Sequence, residues 1–126
     1  MYAVEITSRA GYRFDVKSKD YEFVVDINGG GITPPDTLLA SLGSCMGVYL
    51  RKYIDGAHLP VGEFAITVKA DLTAEAPHRF KSIRVTMDMK GAALDERLKN
   101  ALLKFIENCP IHNTLQESPA IAVSIT

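Results

Sequence analysis

Residues 33–56 read TPPDTLLASLGSCMGVYLRKYIDG, and the rest of the chain has to be arranged around them. The beginning carries helix-start signals, because proline is tolerated in a first turn and the acid Asp36 complements the positive end of a helix. Thr33 and Pro34 are both candidates for the cap. Apolar and small residues then continue to about Asp55, and Gly56 supplies a stop. The spacing predicts a central helix over 34–55, about 21 residues and roughly 30 Å long. Thr37 to Leu50 carries no charge over fourteen residues, against about twenty needed to cross a bilayer. A helix buried in a water-soluble core is the better reading, and no transmembrane segment is predicted. Ala40, Gly43, Ser44 and Gly47 fall on one stripe at spacings of three and four, so a neighbour can approach closely. Another helix is the expected neighbour.

Upstream, the first 26 residues alternate in three short runs. Tyr2, Val4 and Ile6 share one face of the first, Tyr12, Phe14 and Val16 one face of the second, and Tyr21, Phe23 and Val25 one face of the third. The connections Arg9-Ala10-Gly11 and Lys17-Ser18-Lys19-Asp20 are of hairpin length, so residues 1–26 are predicted to form a three-stranded antiparallel meander. Asn28-Gly29-Gly30-Gly31 then breaks the pattern. Downstream of His58-Leu59-Pro60, residues 61–126 begin with a second alternating pair, Phe64 to Leu72 and Ile83 to Met89, predicted to be a long hairpin. A second helix follows Gly91, with Leu94, Leu98, Ala101, Leu102, Phe105 and Cys109 on one face and Pro110 ending it. Ile121, Val123 and Ile125 predict a last strand. The order gives a single domain over 1–126 of α+β class with antiparallel sheet. So few strands cannot cover a nearly all-apolar helix, which predicts two interlocked copies, each covering the other.

Composition narrows the function. The chain has 126 residues, 14 Lys plus Arg against 15 Asp plus Glu and a formal charge of −1. With no basic stripe to neutralise phosphates, nucleic acid is not an expected partner. Two cysteines are too few for a disulfide scaffold, and Met1 leads directly into strand-like sequence. Both features point to a cytoplasmic protein.

Cys45 lies about ten residues inside the first helix, and Cys109 closes the apolar face of the second. Buried cysteine is commonly an inert small hydrophobe, so packing and chemistry are both open readings. The field of a helix N-terminus fades within a turn, so a thiolate at Cys45 needs a cationic side chain. Arg51 is about 240° around the helix and Lys52 roughly 10 Å along it. The first hairpin offers Arg9 and Arg13 instead. A metal reading is weaker: Cys109 and His112 are three apart, but a structural zinc needs four ligands in compact pairs. No metal or other cofactor is expected.

Gly29-Gly30-Gly31 through Pro34-Pro35-Asp36-Thr37-Leu38-Leu39-Ala40-Ser41-Leu42-Gly43-Ser44-Cys45, with Asn108-Cys109-Pro110-Ile111 far downstream, resembles the OsmC/Ohr family over essentially the whole chain. The resemblance implies an intertwined homodimer, antiparallel sheets wrapped around two long central helices, with active sites at the subunit interface. It further implies a thiol peroxidase that reduces organic hydroperoxides without metal or haem, as part of an antioxidant, oxidative-stress response. Cys45 matches the attacking cysteine and Cys109 the resolving one, with an external dithiol of lipoyl type as reductant. The alternative is a non-enzymatic member of the same fold, a redox-responsive or small-ligand-binding dimer. The chain departs from the family where activation occurs. Strongly active members carry a glutamate ten positions before the attacking cysteine, and Pro35 stands there. Asp36 is the candidate substitute, as well as a plain first-turn acid. Arg9, ahead of Ala10-Gly11, resembles the Arg-x-Gly turn of the Ohr branch and is the first candidate cation, with Arg13 second. The OsmC branch tends to place an arginine after Phe23, where this chain has Val24.

Overall fold

The computed structural model describes all 126 residues, Met1–Thr126, and the chain divides after Ala40 into two compact units. In the first, period-two alternation gives β1 (Glu5–Ser8), β2 (Arg13–Ser18) and β3 (Tyr21–Asp26), paired antiparallel in the order β1-β2-β3. Ile6 lies opposite Val16, and Val16 opposite Phe23. Val4, Ile6, Phe14, Val16, Phe23 and Val25 therefore share one apolar face, as the alternation predicts. The first run is shorter than expected. β2 and β3 turn back through Lys19-Asp20, and β1 has no partner beyond Lys17, so Met1 to Val4 lie outside the ladder.

The glycines after β3 serve a close approach. Ile32 N–H donates to the Val24 carbonyl and Asp26 N–H to the Ile32 carbonyl, folding the segment back on β3. A side chain at Gly31 would run into the Val24 carbonyl, and one at Gly30 into the Asp26 carboxylate. α1 (Pro34–Gly56) starts here and continues into the second unit.

In the second unit β4 (Ala65–Leu72) and β5 (Phe80–Asp88) form the expected hairpin, with Ile66 opposite Met87, Val68 opposite Val85 and Ala70 opposite Ile83. A register shift at Asp71/Leu72 takes Leu72 out of this alternation. The small-residue stripe of α1 receives this hairpin and not a second helix. A Cβ on Gly43 would come within 2.8 Å of Val68, and one on Gly47 within 3.2 Å of Ile66. Stiff, β-branched side chains stand off a sheet towards the element they cover, and bare helix backbone lets them reach it.

α2 (Glu96–Phe105) is capped by Asp95, whose carboxylate accepts from Leu98 N–H at 2.8 Å. Leu102 and Ile106 join Leu50, Ile54 and Val61 in the main core, and Phe105 meets Tyr53 edge-on at 5.4 Å. α2 does not extend to Cys109. It passes through a 3₁₀ turn (Ile106–Asn108), and Pro110 opens a third helix, α3 (Pro110–Gln116). The residue before a proline is driven out of helical geometry, while proline itself suits a first helical position.

The predicted last strand is absent from the single chain, since the residues after Gln116 join no ladder. Alternation supplies a face but not a partner. Ile121, Val123 and Ile125 stay 84%, 86% and 97% exposed. No helix is long and apolar enough to cross a membrane.

Candidate functional site

Cys45 sits at the start of the fourth turn of α1, half-buried, and Cys109 is fully buried between the 3₁₀ turn and α3. The two sulfurs meet inside a small apolar cluster with Leu42, Met46, Val68 and Ile111. Both are free thiols. The Cys109 side chain is hydrogen-bonded to Cys45, while the Cys109 sulfur accepts from His112 N–H at 3.4 Å and thereby caps α3. Burial pushes the Cys109 thiol above its ordinary value. Its hydrogen bond to Cys45 adds to the rise, and the backbone N–H groups of His112 and Ile111 oppose it. The pair is thus a protonated, shielded thiol beside a more accessible one.

Arg9 and Arg13 lie in the N-terminal unit, where both address one carboxylate. Arg13 donates to Asp15 Oδ1 through Nε at 3.3 Å and Nη2 at 3.2 Å, and Arg9 Nε stands 4.0 Å from Asp15 Oδ2. Asp15 is a residue the sequence reading missed. Its signal was the same-face spacing from Arg13 combined with the hairpin that returns Thr7 opposite Asp15. Asp36 is engaged locally as well. Its N–H donates to Thr33 Oγ1 at 3.2 Å, and Thr33 Oγ1–H donates back to Asp36 Oδ2 at 2.9 Å. This reciprocal pair makes Thr33 the cap of α1, in the manner of a capping box. The structure therefore brings Cys45 and Cys109 together, and places Arg9 with Asp15 and Asp36 with Thr33.

The cations on α1 beyond Cys45 are committed elsewhere, as helical geometry predicts. Arg51 lies over the Phe64 ring at 4.5 Å and donates to the Gly62 carbonyl at 2.8 Å, and Lys52 lies 4.9 Å from the Tyr49 ring. No three His, Cys, Asp or Glu side chains stand close enough together to hold a metal ion. His112 Nδ1 is buried without a partner, and its Nε2 is 3.4 Å from Gln116 Nε2.

A long helix carrying one cysteine, packed on a β-hairpin, with a second cysteine ahead of a proline-led helix, defines a two-cysteine α+β protein. Residues 27–124 match the family model described as OsmC-like protein, and the chain belongs to that family. Among solved structures it is similar to an OsmC-like protein of Mycoplasma pneumoniae (TM-score 0.81, 16% identity, 94% of this chain and 89% of that one). It is also similar to the organic hydroperoxide resistance protein OhrB of Bacillus subtilis (TM-score 0.68, 16% identity, 93% of each chain). A third is an organic hydroperoxide resistance protein OsmC of Legionella pneumophila (TM-score 0.65, 19% identity, 93% and 91%). No curated protein matches the sequence.

Proposed function

We propose that the protein is a thiol peroxidase that reduces organic hydroperoxides to alcohols. The observation that carries this reading is the contact between the Cys45 and Cys109 sulfurs inside one apolar cluster. Cys45 sulfur attacks the peroxide, the O–O bond breaks, and an alcohol leaves while Cys45 becomes a sulfenic acid. Cys109 then condenses with that sulfenic acid, forming the S–S bond and releasing water. An external dithiol, of lipoyl type, returns both thiols by exchange and leaves as its own disulfide. Arg9 is the first candidate to support the Cys45 anion, with Asp36 as its holder. The working form is a cytoplasmic homodimer with the site at the subunit interface. Support for that assembly comes from the apolar side chains the single chain leaves uncovered, Ile6, Phe23, Leu38 and Val48 among them.

A second reading, a redox-responsive or ligand-binding dimer with little turnover, is favoured by the engagement of Arg9 with Asp15 and of Asp36 with Thr33. Mixing the reduced protein with cumene hydroperoxide and counting free thiols separates the two. The peroxidase loses two thiols per chain within seconds to minutes, a Cys45→Ser variant keeps its remaining one, and added dihydrolipoamide sustains turnover. Unchanged thiols after an hour eliminate the peroxidase.

A further inference from the structure

Within the second unit α1, β5 and α2 enclose a cavity of about 480 Å³, and neither cysteine lines it. Its floor is buried and wholly apolar, formed by Met46, Leu50, Leu102 and Ile106. Its open side is marked by exposed residues, Lys99 and Leu103 one turn apart on α2 and Thr86 on β5. Polar groups therefore occur only at the mouth. Met46, Met87 and Met89 all line this space, so every methionine of the chain except Met1 converges on it. Flexible thioethers adapt to an irregular, mobile occupant better than to one rigid shape.

We propose that this cavity is a binding site for a single-chain amphiphile with an anionic head, an unoxidised alkanoate of about ten carbons. The chain lies along Met46, Leu50 and Leu102, and the carboxylate meets the Lys99 ammonium. Charge decides the head group. The lining holds one cation and no carboxylate, and the nearest acid, Glu96, forms an exposed pair with Lys99 at 3.5 Å. Exposed pairs of that kind are worth little, so a ligand carboxylate displaces Glu96 readily. The volume of about 480 Å³ lies in the range of small-molecule sites and exceeds what one ten-carbon chain fills. The site stands whether or not the thiols turn over.

The chain contains no tryptophan, so a Leu103→Trp variant places a single reporter at the mouth without touching the buried floor. Titrating the intact variant with decanoate, below micelle-forming concentrations, is expected to shift the emission to the blue and saturate at one ligand per chain. Affinity rises roughly three- to fourfold per methylene from hexanoate to decanoate. Adding Lys99→Gln weakens decanoate about fivefold and leaves decan-1-ol unchanged. Calorimetry on the unsubstituted protein gives the same stoichiometry, and a Cys45→Ser, Cys109→Ser variant binds equally well. The proposal is overturned if decanoate does not saturate because a second copy already fills the cavity, if chain length makes no difference, or if decylammonium binds as tightly as decanoate.

Discussion

The Cys109 thiol has no exposed surface, and the cause of its raised pKa is chiefly that burial, reinforced by its bond to Cys45. Stability is tied to its protonation. A folded-state value above the unfolded one means that the contribution is complete below the ordinary thiol value of about 8.5 and is lost as the pH climbs through the folded value. Under reducing conditions, the urea midpoint of the native protein is expected to fall more steeply as the pH rises above about 8.5 than that of Cys109→Ala. Parallel slopes would show that the sulfur ionises as freely when folded as when unfolded. Asp36 permits a second test at a single residue. Thr33→Ala removes the cap and is expected to cost about 1 kcal/mol. Asp36→Asn keeps an acceptor for Thr33 but loses the charge. A holder of an arginine shows in that variant as a drop in kcat with thermal stability nearly intact; a plain capping acid leaves turnover unchanged. The residue types at both positions were readable in the sequence, since a cysteine before a proline and an acid three after a threonine are local patterns. Asp15 was missed although its spacing from Arg13 is local, because Arg9 joins it only once the β1–β2 hairpin closes.

Among the elements, those whose signal lies within one segment or across one short turn formed as expected: the meander, the long helix and the β4–β5 hairpin. Those that depend on a distant neighbour did not. The stripe of Gly43 and Gly47 correctly announces a close approach, yet bare backbone is equally suited to a helix or to a strand of β-branched residues. Ile66 and Val68 resolve the choice only in three dimensions. Pro110 marks a stop that the sequence shows, but the earlier end of α2 at Phe105 was hidden, because an apolar face that continues in register from Leu102 to Cys109 masks the 3₁₀ turn between them. The two glycines should respond differently to the same substitution. Gly43→Ala meets the stiff Val68 at 2.8 Å, an overpacking cost of about 1–3 kcal/mol that exceeds the gain of about 1 kcal/mol in helix propensity. Gly47→Ala meets the flexible terminal carbon of Ile66 at 3.2 Å and Phe64 at an ordinary contact of 3.9 Å, so the propensity gain survives. Urea unfolding should find the first less stable than the native protein by roughly 1 kcal/mol and the second no less stable. The reverse order would mean that the hairpin does not rest on the Gly43 end of the stripe.

For the whole molecule the deciding feature is apolar surface that the single chain leaves open. The meander presents Ile6 and Phe23, α1 presents Leu38 and Val48, and the C-terminal segment alternates apolar residues with no ladder to join. Such a set is rarely left in water by a stable monomer. A C-terminal segment with a strand's period and no ladder in its own chain is accounted for if a second copy supplies the partner. Sedimentation equilibrium is expected to give two chains per particle, and Val48→Glu should shift the population towards monomer by placing a charge on the open flank of α1. Hydrogen exchange tests the tail directly. Backbone amides between Ile121 and Ile125 should alternate between slow and fast exchange in the native dimer, as one edge of a paired strand does. In the Val48→Glu monomer all of them should exchange within seconds. Uniformly fast exchange in a particle shown to be dimeric would mean that the tail is no strand in either state, and that the helices and the meander alone make the interface. The same comparison bears on catalysis. If Cys45 draws its cation from across the interface, hydroperoxide-driven thiol loss should fall in proportion to the monomer fraction across a dilution series of Val48→Glu. A rate constant independent of that fraction would place the complete activating set within one chain.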